Sequence, residues 1–562
     1  MRRPDADAEV VRRNNAAAAL QPNAIILAGL SEEASSALKR YFPLRKTYCI
    51  ASAADLQQEG LAKKGSKDGT LLWGRDRIGL GLLQALHAGK AIEFSDSPSE
   101  NARVPSESGH LVVCEEGDEL AQVIAATYAF SIGAGFQLIP KLPDEDTEQI
   151  LERFYTVYDV RDQSPTAILE SLRVELRARS ADVNVEGCRC VTFVTGETPW
   201  GFAYPEAPST HLFSYPDLGI SILNGLLAEQ RGAPGIRVAM LIDPGEVEAA
   251  EIRLAIQSLR SRAVFISGMN GRGATVYRVT RMVELYPYDF LLVSTHCGDA
   301  PGWRWTYEFV DSEGIERRLV VDLTIGVAVV PGDEKLDVTQ FIKFVSLDGV
   351  DWNDPDKKKK LYVGTAMTDW VKARQGKDLE PTRKETVKRV PGSSALKMAD
   401  GNYLAIPRSL ADHGSPIVVN NACASWHRLA RTFTFGNARA YIGTLFGVSD
   451  VEAQDVVGRL LDRHFGKSLA LALWHAQNEI YGKGVRRPYI LVGVHTQRFR
   501  TTATDAPMLI LGQLRRALQH WTKRLRETDP ADDSKMRTMT DYVRFLKTEI
   551  ERIHKRWIAP RS

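Results

Sequence analysis

The chain predicts an α/β protein built as two α/β units in tandem, closed by a C-terminal helical hairpin. Three observations carry this. Short apolar runs alternate with helical stretches over residues 23–143, and the same alternation opens again at Cys190 and continues to about residue 498. Beyond residue 499 only long amphipathic helical periods remain. The 562 residues far exceed the roughly 150 that one core supports, so more than one domain is expected.

Composition narrows the function classes. Hydrophobic residues at 44% and charged residues at 25% fit a folded globular chain and exclude a mainly disordered one. The 72 Lys and Arg against 70 acids leave a formal charge of +2, which supplies no global drive toward nucleic acid or a membrane surface. No direct nucleic-acid or membrane partner is therefore expected. Six cysteines are too few for a disulfide scaffold in so long a chain, and a reducing compartment fits them. Residues 1–22 lack the apolar centre of a signal peptide and read as a mobile arm, while Asp5, Asp7 and Glu9 argue against a mitochondrial presequence. No stretch approaches ~18 uninterrupted apolar residues, so a cytoplasmic protein is expected.

Taken in order, the runs NAIILAG, KTYCIAS, GTLLWG, AIEFSD, HLVVCEE and FQLIPK alternate with helical patterns near 32–41, 76–88 and 118–132. Together they predict an N-terminal α/β domain over 23–143 with parallel strands. Residues 144–180 read as a two-helix connector, with a boundary near residue 180. The second unit, 181–498, begins with CVTFVTG, IRVAMLIDPG, a helix over 246–260, RAVFISG, a helix near 274–284 and YDFLLVSTHCGD. A hairpin follows at 303–330, turning around Ser312, Glu313 and Gly314. Residues 331–414 are polar and read as an insertion, with the segment PTRKETVKRVPGSS as loop and Lys357–Lys360 as a solvated run balanced by Asp351, Asp354 and Asp356. The α/β pattern resumes with SPIVVNNAC, a helix from about Trp426, ARAYIGTLFGV, helices over 450–465 and 467–482, and RPYILVG. At 499–562, Leu514, Leu518, Trp521 and Leu525 form one apolar face, and Tyr542, Leu546, Ile550, Ile553 and Trp557 form another. That pairing predicts a hairpin packed on the body of the protein, the alternatives being a partner-docking hairpin or a surface for an acidic ligand.

Two apolar runs end in residues suited to covalent catalysis: FLLVSTHCGD reaches His296, and PIVVNNACASW reaches Cys423. Sites in parallel α/β sheets form at the carboxyl ends of strands. A thiol there can attack a carbonyl once deprotonated, and a nearby imidazole can hold the thiolate or protonate the leaving amine. Gly298 beside the His, and Ala422 and Ala424 around the Cys, leave room for a substrate backbone. Successive strand side chains point to opposite faces, so Cys297 is not expected to pair with His296 and reads as a packed thiol behind the strand. The glycine-rich Gly268–Gly273 stretch lacks the Lys-Ser/Thr of a phosphate-binding loop, and Cys188 and Cys190 lack a second ligand pair for zinc. No metal or organic cofactor is expected.

Asn421-Ala422-Cys423-Ala424-Ser425, with the later ARAYIGTLFGVSDVEA and GKSLALALWHAQNEI, resembles the CHAT-domain cysteine peptidases of clan CD, bacterial relatives of caspases and separases. The resemblance covers roughly 190–495. It implies a caspase-like sheet flanked by helices and a cysteine endopeptidase with His296 and Cys423 as catalytic dyad. It further implies the amides of Gly298 and Cys423 as oxyanion donors, a protein substrate, an activating protein or ligand, and a role in bacterial defence or cell death. The family's His-Gly stands here as His296-Cys297-Gly298, and 331–414 lengthens the stretch between His296 and Cys423. In a caspase-like site, the loop after the histidine would offer Asp299, Trp303 and Trp305 to the substrate residue before the cleaved bond. The end of the strand that follows would offer Thr444 and Phe446. A carboxylate at that pocket's floor would select Arg or Lys, whereas an Asp299 that only caps the turn would not. The N-terminal unit lacks a comparable His or Cys strand end and resembles, in its alternation alone, the inactive half beside the active domain of separases. The competing readings are a caspase-like scaffold without turnover and a nucleotide-sensing binding module.

Overall fold

The computed structural model describes residues 22–558 except 40–44, 61–68, 97–106, 181–182, 216, 333, 335, 353, 377, 406 and 413. The expected arm, apart from its last residue, lies outside the described residues. The strands in chain order are β1 Ala24–Ala28, β2 Lys46–Ile50, β3 Thr70–Trp73, β4 Ala91–Phe94, β5 His110–Glu115, β6 Gly135–Ile139, β7 Cys190–Thr195, β8 Ser209–Phe213, β9 Val238–Asp243, β10 Phe265–Asn270 and β11 Phe290–Val293. They continue as β12 Cys297–Gly298, β13 Gly302–Val310, β14 Glu316–Val329, β15 Leu336–Leu347, β16 Val350–Asp351, β17 Arg383–Val387, β18 Ala395–Met398, β19 Gly401–Leu404, β20 Ile417–Asn420, β21 Ala440–Thr444 and β22 Tyr489–Gly493. The helices that position the site are α1 Asp144–Tyr155, α2 Pro165–Arg179, α3 Ala250–Arg260, α4 Val276–Leu285, α5 His427–Phe435, α6 Asp450–Gly458, α7 Leu469–Tyr481, α8 Ala506–Glu527 and α9 Asp533–Ile553.

Ten strands form one mixed sheet in the order β10-β9-β11-β20-β21-β22-β8-β7-β5-β6. From β10 to β21 neighbouring strands are parallel, and β22 runs antiparallel to β21. Burial on both faces explains why these strands read as unbroken apolar runs. Alternate residues feed two cores: Val238, Met240, Ile242, Leu291, Val293 and Val418 pack on one side with α4, α5, α8 and α9. Ala239, Leu241, Leu292, Ile417, Val419 and Ile442 pack on the other with α3, α6 and α7.

The sheet corrects the expected domain boundaries. β5 and β6, from the expected N-terminal unit, pair with each other and with β7 in a continuous register, Leu111 opposite Val191 and Val113 opposite Phe193. A division at 143 or 180 would cut through one sheet. The six strands of 23–143 also do not share a layer, because β1-β2 and β3-β4 are separate parallel pairs. The connector is indeed two helices, α1 and α2, and both pack into the core beside β5, β7 and β8. β8 was absent from the expected elements; its opening Ser-Thr-His is polar yet inward, with Thr210 and His211 fully buried.

The hairpin at 303–330 forms as β13 and β14, Val310 pairing with Glu316. The stretch after it is more ordered than its polarity implied. β15 pairs with β14 along eleven positions, and β17, expected as loop, pairs with β13. The resulting five-stranded antiparallel sheet, β16-β15-β14-β13-β17, encloses its own small core around Tyr307, Leu319, Val321, Leu347 and Trp370. β18 then returns to pair with β12, directly after His296. The inserted element therefore spans about 302–404 and is tied at its end to the histidine loop.

The C-terminal hairpin packs on the body, as its two apolar faces predicted. Asp541 of α9 accepts from Tyr277 Oη (2.9 Å) and Arg281 Nε (2.7 Å) of α4, and Arg281 also reaches Asp337 of β15 (2.7 Å). Tyr542 Oη donates to Glu284 at 3.0 Å. The buried Arg281, shared between Asp541 of α9 and the half-exposed Asp337 of β15, ties α9, α4 and the inserted sheet together. Among the described residues, no helix is long and apolar enough to cross a membrane.

Candidate active site

β11 and β20 are adjacent and parallel, with Leu292 opposite Val419 and Val293 opposite Asn420. The pairing extends one step further, Asn421 N–H donating to Val293 O at 2.8 Å. His296 and Cys423 each lie three residues past this last matched pair, so the two groups leave neighbouring strands at equivalent positions. The sheet order reverses between β9 and β11, since β10 lies to one side of β9 and β11 to the other. Clefts open at the carboxyl ends of strands around such a reversal.

A buried network braces both strand ends. Glu251, at the start of α3 and 1% exposed, accepts from Ser294 Oγ and from Asn421 Nδ2 (3.0 Å). Tyr489 Oη of β22 donates to Asn421 Oδ1 at 2.5 Å. Ser294 and Asn421 each stand two residues before the reactive side chain of their strand. Burial raises the Glu251 carboxyl pKa, and its Oε2 has no hydrogen-bond partner. Sequence inspection missed Glu251, although it sits one helical turn before the buried Ala255, on the stripe that should be apolar.

The turn bearing Cys423 is strained and clamped. Ala424 has φ of 49°, the left-handed region that costs a residue with a Cβ roughly 1–2 kcal/mol. Thr444 Oγ1 donates to Ala422 O (2.7 Å), Thr444 N–H to Ser425 Oγ (3.0 Å), and Ser425 Oγ to Asn420 O (2.9 Å). Val448 N–H points at Cys423 Sγ (3.4 Å). Burial nonetheless leaves the thiol pKa above its ordinary value, with Asp450 and Glu452 adding to the rise. The thiol in this arrangement is therefore not activated by its surroundings alone. It needs a base.

His296 is exposed, and its loop is pinned by the backbone: Lys397 N–H donates to His296 O at 2.9 Å, and Thr295 Oγ1 to Lys397 O at 2.6 Å. That bond makes His296 and Lys397 a hydrogen-bonded antiparallel pair. Alternation then makes Gly298 and Ala395 the next such pair, with the Gly298 N–H directed at Ala395 O. The expected oxyanion role of Gly298 is thereby corrected. The amide left facing away from β18 is that of Cys297, the residue directly after the histidine. The Cys297 side chain is partly buried against the core, as strand alternation predicted, and burial raises its pKa, with a further contribution from nearby Cys423.

The residues expected to line a substrate pocket are differently employed. The Asp299 carboxylate is 3% exposed, accepting from Arg389 Nε (2.9 Å) and Ser394 N–H (3.1 Å), so it is no free pocket floor. Trp303 and Trp305 belong to β13 of the inserted sheet rather than to a loop. Trp305 packs on that sheet's own core, while Trp303 is 37% exposed. Thr444 is wholly buried in the clamp described above. Phe446 is also wholly buried, against Phe154, Phe202 and Tyr158. Its neighbour Gly447 marks the approach to the thiol: a Cβ there would stand 3.6 Å from the Tyr158 ring and 3.9 Å from Cys423 Sγ.

Among the described residues, no group of three His, Cys, Asp or Glu side chains is placed to hold a metal ion. The ends of β7 and β8 approach the same region, Arg431 of α5 pairing with Glu197 and Trp426 packing on Phe213. No protein-family model and no curated protein matches the chain.

Proposed function

We propose that the protein is a cysteine endopeptidase working through Cys423 and His296. The observation that carries this reading is the matched emergence of an imidazole and a thiol from adjacent parallel strands, with each strand end braced by the same buried Glu251 network. Bracing of this kind costs stability at the Ala424 turn and holds side chains that the fold alone does not require.

In the reaction, His296 takes the thiol proton and Cys423 Sγ forms a bond to the scissile carbonyl carbon. The tetrahedral oxyanion would receive the Cys423 and Cys297 amides. The carbon–nitrogen bond breaks as His296 returns the proton to the leaving amine, giving an acyl-thioester. Water, deprotonated by His296, then displaces the thiolate, which recovers its proton. The chain's own groups supply every proton movement. A protein substrate, and control by an activating protein or ligand in a defence or cell-death response, complete the proposal; a thiol whose pKa burial holds above its ordinary value fits an enzyme that awaits such a signal.

The test is incubation of wild type, Cys423→Ala and His296→Ala with proteins encoded beside it, reading new amino termini by mass spectrometry. Termini produced by wild type alone support the reading. Termini produced equally by Cys423→Ala would refute it.

A further inference from the structure

The histidine loop is held from outside its own strand by the connector helix α1. The Asp299 N–H donates to Tyr155 Oη at 2.7 Å, and that hydroxyl lies 3.1 Å from where a Gly298 Cβ would stand. Glu152, one turn earlier on α1, receives a forked pair of bonds from Arg389 Nη1 and Nη2 (2.7 and 2.5 Å). Arg389 comes from the inserted element, and its Nε is the donor already described for the Asp299 carboxylate. Its guanidinium also lies over the Tyr155 ring, 4.2 Å from the centroid. His427 of α5 packs edge-on against the same ring, 5.6 Å between centroids, its Nε2 bonded to Leu445 O at 3.1 Å.

The same short stretch touches the cysteine side of the site. Phe154 stacks on Phe446, and Tyr158 lies against Gly447 beside the thiol. Residues 152–158 thus bridge the loop that bears His296 and the loop leaving β21, whose Gly447 lies beside the Cys423 thiol. They belong to neither strand, and they precede β7 by more than thirty positions.

We infer that Tyr155 and Arg389 are positioning residues that hold the His296 loop in register with Cys423, making α1 and the inserted element joint controllers of the site. This inference rests on the Cys–His reading above. The physical basis is that Asp299 is anchored at both backbone and side chain, by Tyr155 and Arg389 respectively, only three residues from His296. Without these two anchors the loop keeps its β12–β18 pairing and the Ser394 bond to Asp299 but loses its tie to α1. A displacement of about 1 Å at a reacting pair lowers its rate by up to a hundredfold. The clamp joins three chain segments, so a partner that pulled α1 or the inserted element would act on the dyad without touching it.

The experiment follows the rate of iodoacetamide labelling of Cys423, resolved from the other five cysteines by peptide mass spectrometry, from about pH 5 to about pH 9, which spans ordinary imidazole and thiol titration. Full-length wild type, His296→Ala, Tyr155→Phe and Arg389→Lys are compared, with melting temperature as the check on folding. Tyr155→Phe removes only the accepting hydroxyl, and Arg389→Lys keeps the charge while losing the fork. Both should melt with wild type, label about tenfold more slowly at neutral pH, and shift their pH profiles toward that of His296→Ala. Superposition of the Tyr155→Phe and Arg389→Lys profiles on wild type, while His296→Ala departs from it, would overturn the clamp and leave the dyad standing. If His296→Ala itself superimposes on wild type, the dyad reading falls and the clamp falls with it.

Discussion

Two buried glutamates, Glu115 at the end of β5 and Glu251 at the start of α3, brace strand ends of the same sheet and do different work. Glu115 closes β5: it accepts from Thr195 Oγ1 (2.6 Å), Gly196 N–H (2.7 Å) and Trp200 Nε1 (2.7 Å), so both its oxygens are engaged. Glu251 stands behind β11 and β20, engages both with one oxygen and leaves the other without a partner. Burial raises the pKa of both carboxyls. The first seals the end of β5, and the residues directly after it, Glu116, Gly117 and Asp118, carry no thiol or imidazole. The second supports a pair of strand ends that run on into Cys423 and His296. A satisfied buried acid reports on stability, and an incompletely satisfied one behind reactive side chains reports on function.

The comparison can be broken at several points, and the largest effect belongs to the reactive groups. Cys423→Ala and His296→Ala should each abolish cleavage while leaving the melting temperature within about 2 °C of wild type, because neither side chain holds the core together. Cys297→Ala should retain most activity, since its thiol packs behind the strand. Loss of activity in Cys297→Ala with survival in Cys423→Ala would reverse the assignment.

Next in size is Glu115→Ala. It strands the buried Trp200 indole N–H and the half-buried Gly196 amide, and leaves Thr195 Oγ1 only its bond to Thr198 O, at roughly 1–3 kcal/mol for each unpaired donor, enough for a clear fall in the denaturation midpoint. Labelling of Cys423 in the folded fraction should not change. Glu251→Ala removes the shared acceptor of two buried donors, Ser294 Oγ and Asn421 Nδ2, so it also lowers stability, but unlike Glu115→Ala it slows Cys423 labelling several-fold in the folded protein as the two strand ends lose their common brace. A several-fold labelling defect in Glu115→Ala together with normal labelling in Glu251→Ala would erase the distinction between the two acids.

The smallest effect is a pH dependence away from both. Burial pushes the Asp412 carboxyl up to about 6. A carboxyl raised on folding stabilises the folded state below its unfolded pKa and loses that contribution as pH rises through the folded value. Asp412→Asn should therefore stabilise the protein at pH 7 by up to about 3 kcal/mol, read as a higher melting temperature, and change little near pH 4. Asn tolerates the left-handed φ of 49° at this position as Asp does, so the comparison isolates the charge. Equal shifts at both pH values would assign the effect to packing.

These contrasts also show what was legible beforehand. β11, β20, β21 and β22 announce themselves as apolar runs because both of their faces are covered, and the strand ends at His296 and Cys423 follow directly. β15 does not, because its first five residues are exposed, and Asp337, Thr339 and Gln340 break up its apolar positions before Phe341. The joining of β5 to β7 is a pairing across eighty positions, His110 opposite Cys190, which no local period records. Among the site residues, Thr444 and Phe446 fall where a pocket wall was expected yet turn inward, since the clamp on the Ala424 turn takes Thr444 and the aromatic cluster takes Phe446. Tyr155 and Arg389 reach the site only through tertiary contacts, from an amphipathic helix and a basic strand exit that carry no motif.

The central claim is that one thiol, Cys423, is the nucleophile and that His296 serves it. Incubation of the full chain with a panel of peptidyl acyloxymethyl ketones, each differing only in the residue that mimics the one before the cleaved bond, tests it by covalent capture. The account predicts a thioether on Cys423 in wild type, mapped by peptide mass spectrometry, and its loss in His296→Ala. An adduct on Cys297 or Cys188 in place of Cys423, or equal capture at Cys423 with and without His296, would contradict it.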